Sequence, residues 1–292
     1  MLINLSSSMP ADVLEAMQAI AREHKRSLQE EREAYQIRIN STGALFEYYI
    51  KDALTGRFYV DEETRDIAYR ENFAWLGNQN NPPDAIAQKG DAFEIKKLQS
   101  PGNAIALNSS PPKDALHRND SRIVEACRNS DGGRWEIKDI FYAIGWIESK
   151  EVRSIYFVQG SCYAASREVY ERVSLSLAES VNEAILLSGL ESGKTDELGR
   201  INRVDPLGIT SLRVRGMWQI ENPSRVFQKI AKLEQRKTFQ AYAIMKWEKY
   251  LDMLSKRQGV LPDTLKLSRE KIPDPNNPAE NMDAAILEVS WE

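Results

Sequence analysis

At 292 residues, 42% hydrophobic and 28% charged, the chain has the make-up of an ordinary soluble globular protein, long enough to bury a sizeable core. Two cysteines, Cys127 and Cys162, and two histidines, His24 and His117, supply neither a zinc cluster nor a Ser-His-Asp triad; no apolar run approaches a membrane span and no secretory leader is visible. The net charge of -4 excludes a globally basic protein, yet residues 199–237 hold nine Arg and Lys against Asp205, Glu221 and Glu234, a local +6 that leaves -10 elsewhere.

These features point to a cytoplasmic protein, outside any membrane, whose chemistry rests on carboxylates and lysine. In chain order, Pro10 suits a first helical turn, and Val13, Leu14, Met17 and Ile20 recur at helical spacing. The charged stretch from Glu23 to Arg38 extends this helix into an arm or partner-facing element rather than catalytic core. A second helix begins after Asn40-Ser41-Thr42 and ends at Gly56. Within it Glu47 has two readings: an i,i+4 surface pair with Lys51, or a carboxylate projected toward a catalytic hairpin. Residues 61–72 read as polar loop, Phe73 to Leu76 as a short strand or buried turn, and Gly77 to Asn81 as a turn.

The stretch from Asn81 to Lys97 reads as two short strands around Lys89-Gly90-Asp91, with Gly90 supplying the left-handed turn conformation. Alternation places Glu94 and Lys96 on one strand face, and Phe93 and Ile95 toward a core. Asp84 and Glu94 together suit a hard, oxygen-seeking cation such as Mg²⁺, which would lower the pKa of a bound water and neutralise charge on a scissile phosphate. Lys96 beside them would orient that water and stabilise the hydroxide. Pro-Asp followed ten residues later by Glu-x-Lys is the pattern of the PD-(D/E)xK nuclease superfamily. The plain alternative is a surface hairpin with a Glu94–Lys96 ion pair.

A short strand at Ile105 then leads into Asn108-Ser109-Ser110 and Lys113, groups suited to base edges and phosphates, or to a capped turn; a helix is expected over residues 122–128. Lys138–Ile147 and Val152–Gln159 read as antiparallel strands buried on both faces, covered by an amphipathic helix from Arg167 to Leu187. Ser192-Gly193-Lys194-Thr195 ends like a phosphate loop, but serine stands at 188 where the first glycine belongs and a helix precedes it, so no nucleotide cofactor is expected. On the following segment Arg213 and Arg215 share a strand face, two guanidinium forks matched to the edge of guanine, while Arg200, Asn202 and Arg203 would contact DNA more modestly. The remainder reads as a helix around residues 239–254, a Pro/Asn-rich segment at 272–278 and a strand-like end at 285–291.

Taken together, the residues of Gly77 to Ala85, Gly90 to Lys97, Ala106 to Ser110 and Leu198 to Pro223 resemble the NgoPII family of type II restriction endonucleases. The resemblance implies a PD-(D/E)xK restriction-endonuclease-like α/β core, a mixed central sheet flanked by helices, with added N- and C-terminal helical segments. It divides the chain into an arm at 1–40, a nuclease core at 41–230 and a helical extension at 231–292. It further implies Mg²⁺-dependent cleavage of double-stranded DNA at GGCC, with Asp84, Glu94 and Lys96 in the catalytic roles. A palindrome cut on both strands is most simply met by a homodimer. Competing readings are a repair or structure-specific nuclease on the same fold, and a DNA-binding protein that does not cut.

Overall fold

The computed structural model describes residues 10–23, 42–58, 60–78, 80–257 and 261–292. Its organising element is a nine-stranded mixed sheet with helices packed on it. The strands run in the order β1 (Phe73–Asn78), β2 (Asn81–Ala87), β3 (Ala92–Leu98), β6 (Ile137–Glu148), β7 (Glu151–Gln159), β11 (Phe239–Lys246), β13 (Asn277–Trp291) and β12 (Lys266–Asp274), with β5 (Ala115–His117) paired to β6. Pairings are antiparallel except β3 with β6 and β7 with β11. Among the described residues no helix is long and apolar enough to cross a membrane.

One face of the sheet carries α1 (Val13–Arg22), α2 (Thr42–Thr55) and α7 (Trp247–Ser255), whose apolar side chains join Phe93, Phe141 and Phe157 in one core. The other face is covered by β4 (Ile105–Asn108), β5, α4 (Glu125–Arg128) and α6 (Pro223–Val226) over Ile86, Ile140 and Tyr156. Cys127 and Cys162 are free and buried, as small apolar fillers. The β6–β7 hairpin matches expectation: both strands are buried through most of their length, and Ser149 and Lys150 turn it with φ of 50° and 69°.

Several expectations are overturned. The helix predicted as an outlying arm is core: Val13, Leu14 and Met17 are fully buried, and Arg257 closes ion pairs with Asp12 and Glu15 at its start. Residues 24–41, most of the predicted arm with the Asn40-Ser41 cap, lie outside the described residues. The polar stretch after Asp61 is a helix, α3 (Glu62–Asn72), because the Asp61 carboxylate accepts the Thr64 N–H at 2.9 Å and Glu62 and Glu63 fill the first turn. Residues 239–246 form strand β11, buried along almost its whole length, rather than helix. The C-terminal segment therefore adds three strands to the sheet, with α7 as its one described helix. The Pro/Asn-rich segment is the β12–β13 turn. The helix expected over 122–128 is a single turn, α4.

Helix α5 (Arg167–Leu187) also departs from expectation. Instead of covering the sheet it buries Ile185 alone. Its inner edge leans on β8 (Gly199–Ile201), which pairs with β9 (Leu212–Val214), and on β10 (Trp218–Ile220), which pairs with β4.

Helix α2 sits close because β6 has Gly145 where it crosses: a Cβ there would stand 2.1 Å from the Phe46 ring. Gly145→Ala should therefore cost about 1–3 kcal/mol in urea unfolding. Phe46→Leu in the same chain should recover part of that loss; no recovery would mean the contact does not set the helix position.

Candidate active site

Strands β2 and β3 pair for a short distance only, Ala85 with Phe93 and Ile86 with Ala92. Beyond Ala85 the first strand enters Pro82-Pro83, which has no N–H to offer, and the strands part. The Ile95 N–H donates instead to Asp84 Oδ2 at 2.6 Å. This bond turns the Asp84 carboxylate inward beside Glu94. The next outward position holds Lys96, whose Nζ lies 2.5 Å from Glu94 Oε1. Asp84 Oδ1 and Glu94 Oε2 keep no hydrogen-bond partner among the described residues.

These three side chains line one cleft of about 380 Å³. Glu47 reaches the same cleft from α2, carried there by the packing of Phe46 on Gly145. Among the described residues no ion pair joins Glu47 to Lys51, and Glu47 lines the cleft. Burial first, then the Glu94 charge and more weakly that of Glu47, push the Asp84 carboxyl up to about 7. Burial pulls the Lys96 ammonium down, but the Glu94, Asp84 and Glu47 carboxylates outweigh it and its pKa stands above the ordinary lysine value. Three carboxylates thus meet in a cleft whose lysines are Lys96, paired to Glu94, and Lys113, paired to Asp120 outside it.

The far end of the hairpin is clamped. Asp131 accepts the Lys89 N–H at 2.8 Å, Lys138 Nζ donates to the Gly90 carbonyl at 2.9 Å, and Lys249 on α7 bridges Asp91 and Asp139 at 2.6 and 2.7 Å. The left-handed turn residue is Lys89, with φ of 52°, rather than Gly90. Glycine is needed at 90 for space, since a Cβ there would touch that of Ala87 at 3.0 Å.

Asn108, Ser109, Ser110 and Lys113 line the opposite wall of the cleft. Asn108 takes φ of 54°, a conformation asparagine tolerates, and so turns the loop after β4 toward the acids. Lys113 is held by an ion pair to Asp120 and by its backbone N–H, which donates to the Tyr142 hydroxyl at 2.7 Å. Tyr142 stands beside Glu94 in the β3–β6 register, and Asn78 and Pro82 complete the mouth. Sequence reasoning missed Tyr142, whose apolar strand neighbours conceal a wall residue.

A groove of about 570 Å³ shares Pro82, Ser109 and Ser110 with the cleft and runs past Arg215 to α5. The strand expected to carry both arginines ends at Val214, so Arg215 lies one residue beyond it, yet both hold one acid: Glu197 accepts Arg213 through Nε and Nη2 at 2.8 Å each and Arg215 Nε at 2.5 Å. Glu197 went unnoticed in sequence, since nothing local links it to residues 16 positions later. Arg200, Asn202 and Arg203 do not line the cleft or the groove. Arg200 pairs with Arg213 along the β8–β9 backbone, Asn202 abuts Gly193, and Arg203 packs on the turn at Gly208.

A sequence model described as NgoPII restriction endonuclease matches residues 11–273. The type II restriction enzyme NgoPII of Neisseria gonorrhoeae is 39% identical over 254 residues, covering 86% of this chain and 89% of that enzyme. No solved structure matches.

The raised carboxyl gives a signed expectation. A folded-state pKa of about 7 against an ordinary 3.8 means that protonation favours the fold, an advantage complete below about 4 and lost as pH rises through 7. Asp84→Asn does not titrate and can still accept the Ile95 N–H. In EDTA it should melt higher than the parent, with the difference growing from pH 5 to pH 8; a constant or reversed difference would show that the carboxyl is not strained by its neighbours.

Proposed function

The chain belongs to the NgoPII restriction endonuclease family and is a type II site-specific deoxyribonuclease, and on that premise we propose that it cuts both strands of DNA at a short palindrome, GGCC, using Mg²⁺ held by Asp84 and Glu94. The observation that carries the metal is the donor set: two carboxylates from adjoining strands, each with an oxygen that has no hydrogen-bond partner among the described residues, in one cleft with the Glu47 carboxylate. Among the described residues no three His, Cys, Asp or Glu side chains converge as a metal cluster, so water and phosphate oxygens would complete the shell around a hard cation. Bound there, the cation supplies charge neutralisation at the phosphate and a lowered pKa for water.

The chain's own residues divide the remaining work. The Ile95 N–H fixes the rotamer of Asp84, and Lys96, kept protonated by the surrounding acids, orients the attacking water and offsets charge that builds on the phosphate oxygens. Glu47 adds a third carboxylate to the cleft and would accept a proton from that water. The Asn108 to Ser110 loop and Lys113 line the wall facing the acids, where a phosphate backbone would lie against hydroxyl, amide and ammonium donors.

Sequence reading falls to the groove beyond. Arg213 and Arg215 present guanidinium forks whose bidentate match is the O6 and N7 edge of guanine, and a site of two guanines per strand fits a pair of forks. In the free protein Glu197 occupies those forks, so DNA takes the place of a carboxylate rather than of bulk water. Arg200 and Arg203, away from the cleft, would meet the DNA backbone at its margin.

Digestion of a sequenced plasmid with Mg²⁺ and with EDTA, followed by mapping of the ends, tests the proposal. Discrete fragments ending at one palindrome with Mg²⁺, and intact plasmid with EDTA, are expected. Cutting in EDTA removes the metal, and heterogeneous ends remove the palindrome. Replacing Asp84, Glu94 or Lys96 by Ala should lower cutting by at least ~10²-fold while retaining DNA binding. Arg213→Ala and Arg215→Ala should each relax discrimination by about 1–3 kcal/mol, read as cutting at sites altered by one base pair; unchanged selectivity would clear both of base reading.

A further inference from the structure

We propose that the β8–β9 hairpin enters the major groove of DNA as a two-stranded ribbon, and that Leu207 and Ile209 at its tip cover thymine methyl groups outside the palindrome, giving the enzyme a preference for thymine in the flanking base pairs. The proposal rests on Arg213 and Arg215 as readers of guanine and extends that reading beyond the four central pairs.

The hairpin stands outside the main sheet and uses one of its faces for packing. Gly199 meets Val181 of α5, and Ile201, on the same face by alternation, is buried. Arg200 and Arg213, opposite each other in the pairing, take the other face. Like charges set across a strand pair repel, and a polyanion is the partner that relieves them. Arg200 Nε has no hydrogen-bond partner among the described residues. From 199 to 218 the sequence holds four arginines and one acid, Asp205. That acid is engaged within the loop: its carboxylate accepts the N–H groups of Leu207 at 3.0 Å, Ile209 at 3.4 Å and Thr210 at 2.6 Å. Glu197 is likewise held by Arg213 and Arg215.

The bonds to Asp205 also stiffen the tip. The Gly208 N–H donates to the Asp205 carbonyl at 2.8 Å, Gly208 takes φ of 69°, and the Arg203 side chain lies over it. Held in this way, Leu207 and Ile209 are 82% and 81% exposed, two large aliphatics presented to solvent by a loop bonded to itself. A surface that is cationic and apolar, its nearby carboxylates already engaged, suits nucleic acid: phosphates take the arginines, and the major groove offers the thymine methyl as its apolar group. That groove admits a two-stranded ribbon. Ile209 is four residues from Arg213, a reach of up to about 13 Å at about 3.3 Å per residue. Successive base pairs lie about 3.4 Å apart, so the tip falls nearly four pairs from the guanine that Arg213 reads. Two hairpins directed inward over a four-pair palindrome would collide; directed outward, they lie on its flanks.

Competitive cutting of two duplexes is the test, both carrying GGCC flanked by A·T pairs, one with thymidine and the other with deoxyuridine at every flanking position. With Mg²⁺ the parent should cut the thymine duplex at least ~threefold faster, since covering one methyl amounts to about fourfold. Leu207→Ser with Ile209→Ser should cut the two duplexes alike, with an unchanged melting temperature because both side chains are exposed. Leu207→Met with Ile209→Met should retain the preference. Equal cutting by the parent, or a preference that survives the serine changes, overturns the proposal. Serine changes that alter sedimentation instead of the preference assign the tip to another protein chain and overturn it as well. Fluorescence anisotropy of the same duplexes in EDTA separates the two readings: discrete cutting without a thymine preference removes the hairpin assignment alone, whereas tighter binding of the thymine duplex by a parent that cuts nothing removes the nuclease reading and keeps the hairpin.

Discussion

The hydrogen bond from the Ile95 N–H to Asp84 is the constraint on which the site depends. A β-ladder normally uses its backbone donors against the neighbouring strand, and a donor left bare costs about 1–3 kcal/mol. Here the neighbour has turned away through two prolines, and a side chain takes over the role of the missing carbonyl. The substitution opens a cleft between paired strands and fixes the orientation of an acid at its mouth. A fully zipped hairpin would have had no room for a phosphate. A fully open one would have had nothing to hold the carboxylate.

Rigidity at the other end of the hairpin makes this opening local. Lys89, Gly90 and Asp91 are tied to three different parts of the chain, so the strands part at one end while the turn stays fixed. Helix α2 adds the third carboxylate by a steric device, Phe46 seated over Gly145. The concentration of like charge that results is unfavourable, and the raised Asp84 carboxyl registers it.

How much of this could be read beforehand depended on whether the signal was local. Glu94 and Lys96 share a face by strand alternation, so their pairing was legible from spacing, and Asp84 joined them through a short turn. The Asn108 loop was legible as a group of donors although its approach to the acids depends on β10, far along the chain. Arg213 and Arg215 were correctly placed side by side, but their common partner Glu197 carries no pattern. Misreadings came where composition misled: α3 is almost wholly polar yet well capped, β11 is apolar on both faces and so has neither period, and α1 was judged by the charges that follow it rather than by its own buried stripe. Helix α5 was read as amphipathic, which it is, but periodicity does not say which side meets the rest of the chain.

The clasp of Arg257 on Asp12 and Glu15 has a bearing on how the molecule comes together. The partners are 245 and 242 positions apart, and the cation side chain is only 2% exposed once they meet. Contacts of such separation lengthen the search for native topology. A nascent or truncated chain ending before Arg257 has two acids facing an apolar core with no counter-ion, so its first helix gains little by docking early. The first described helix is thus secured by a residue that follows the last described one.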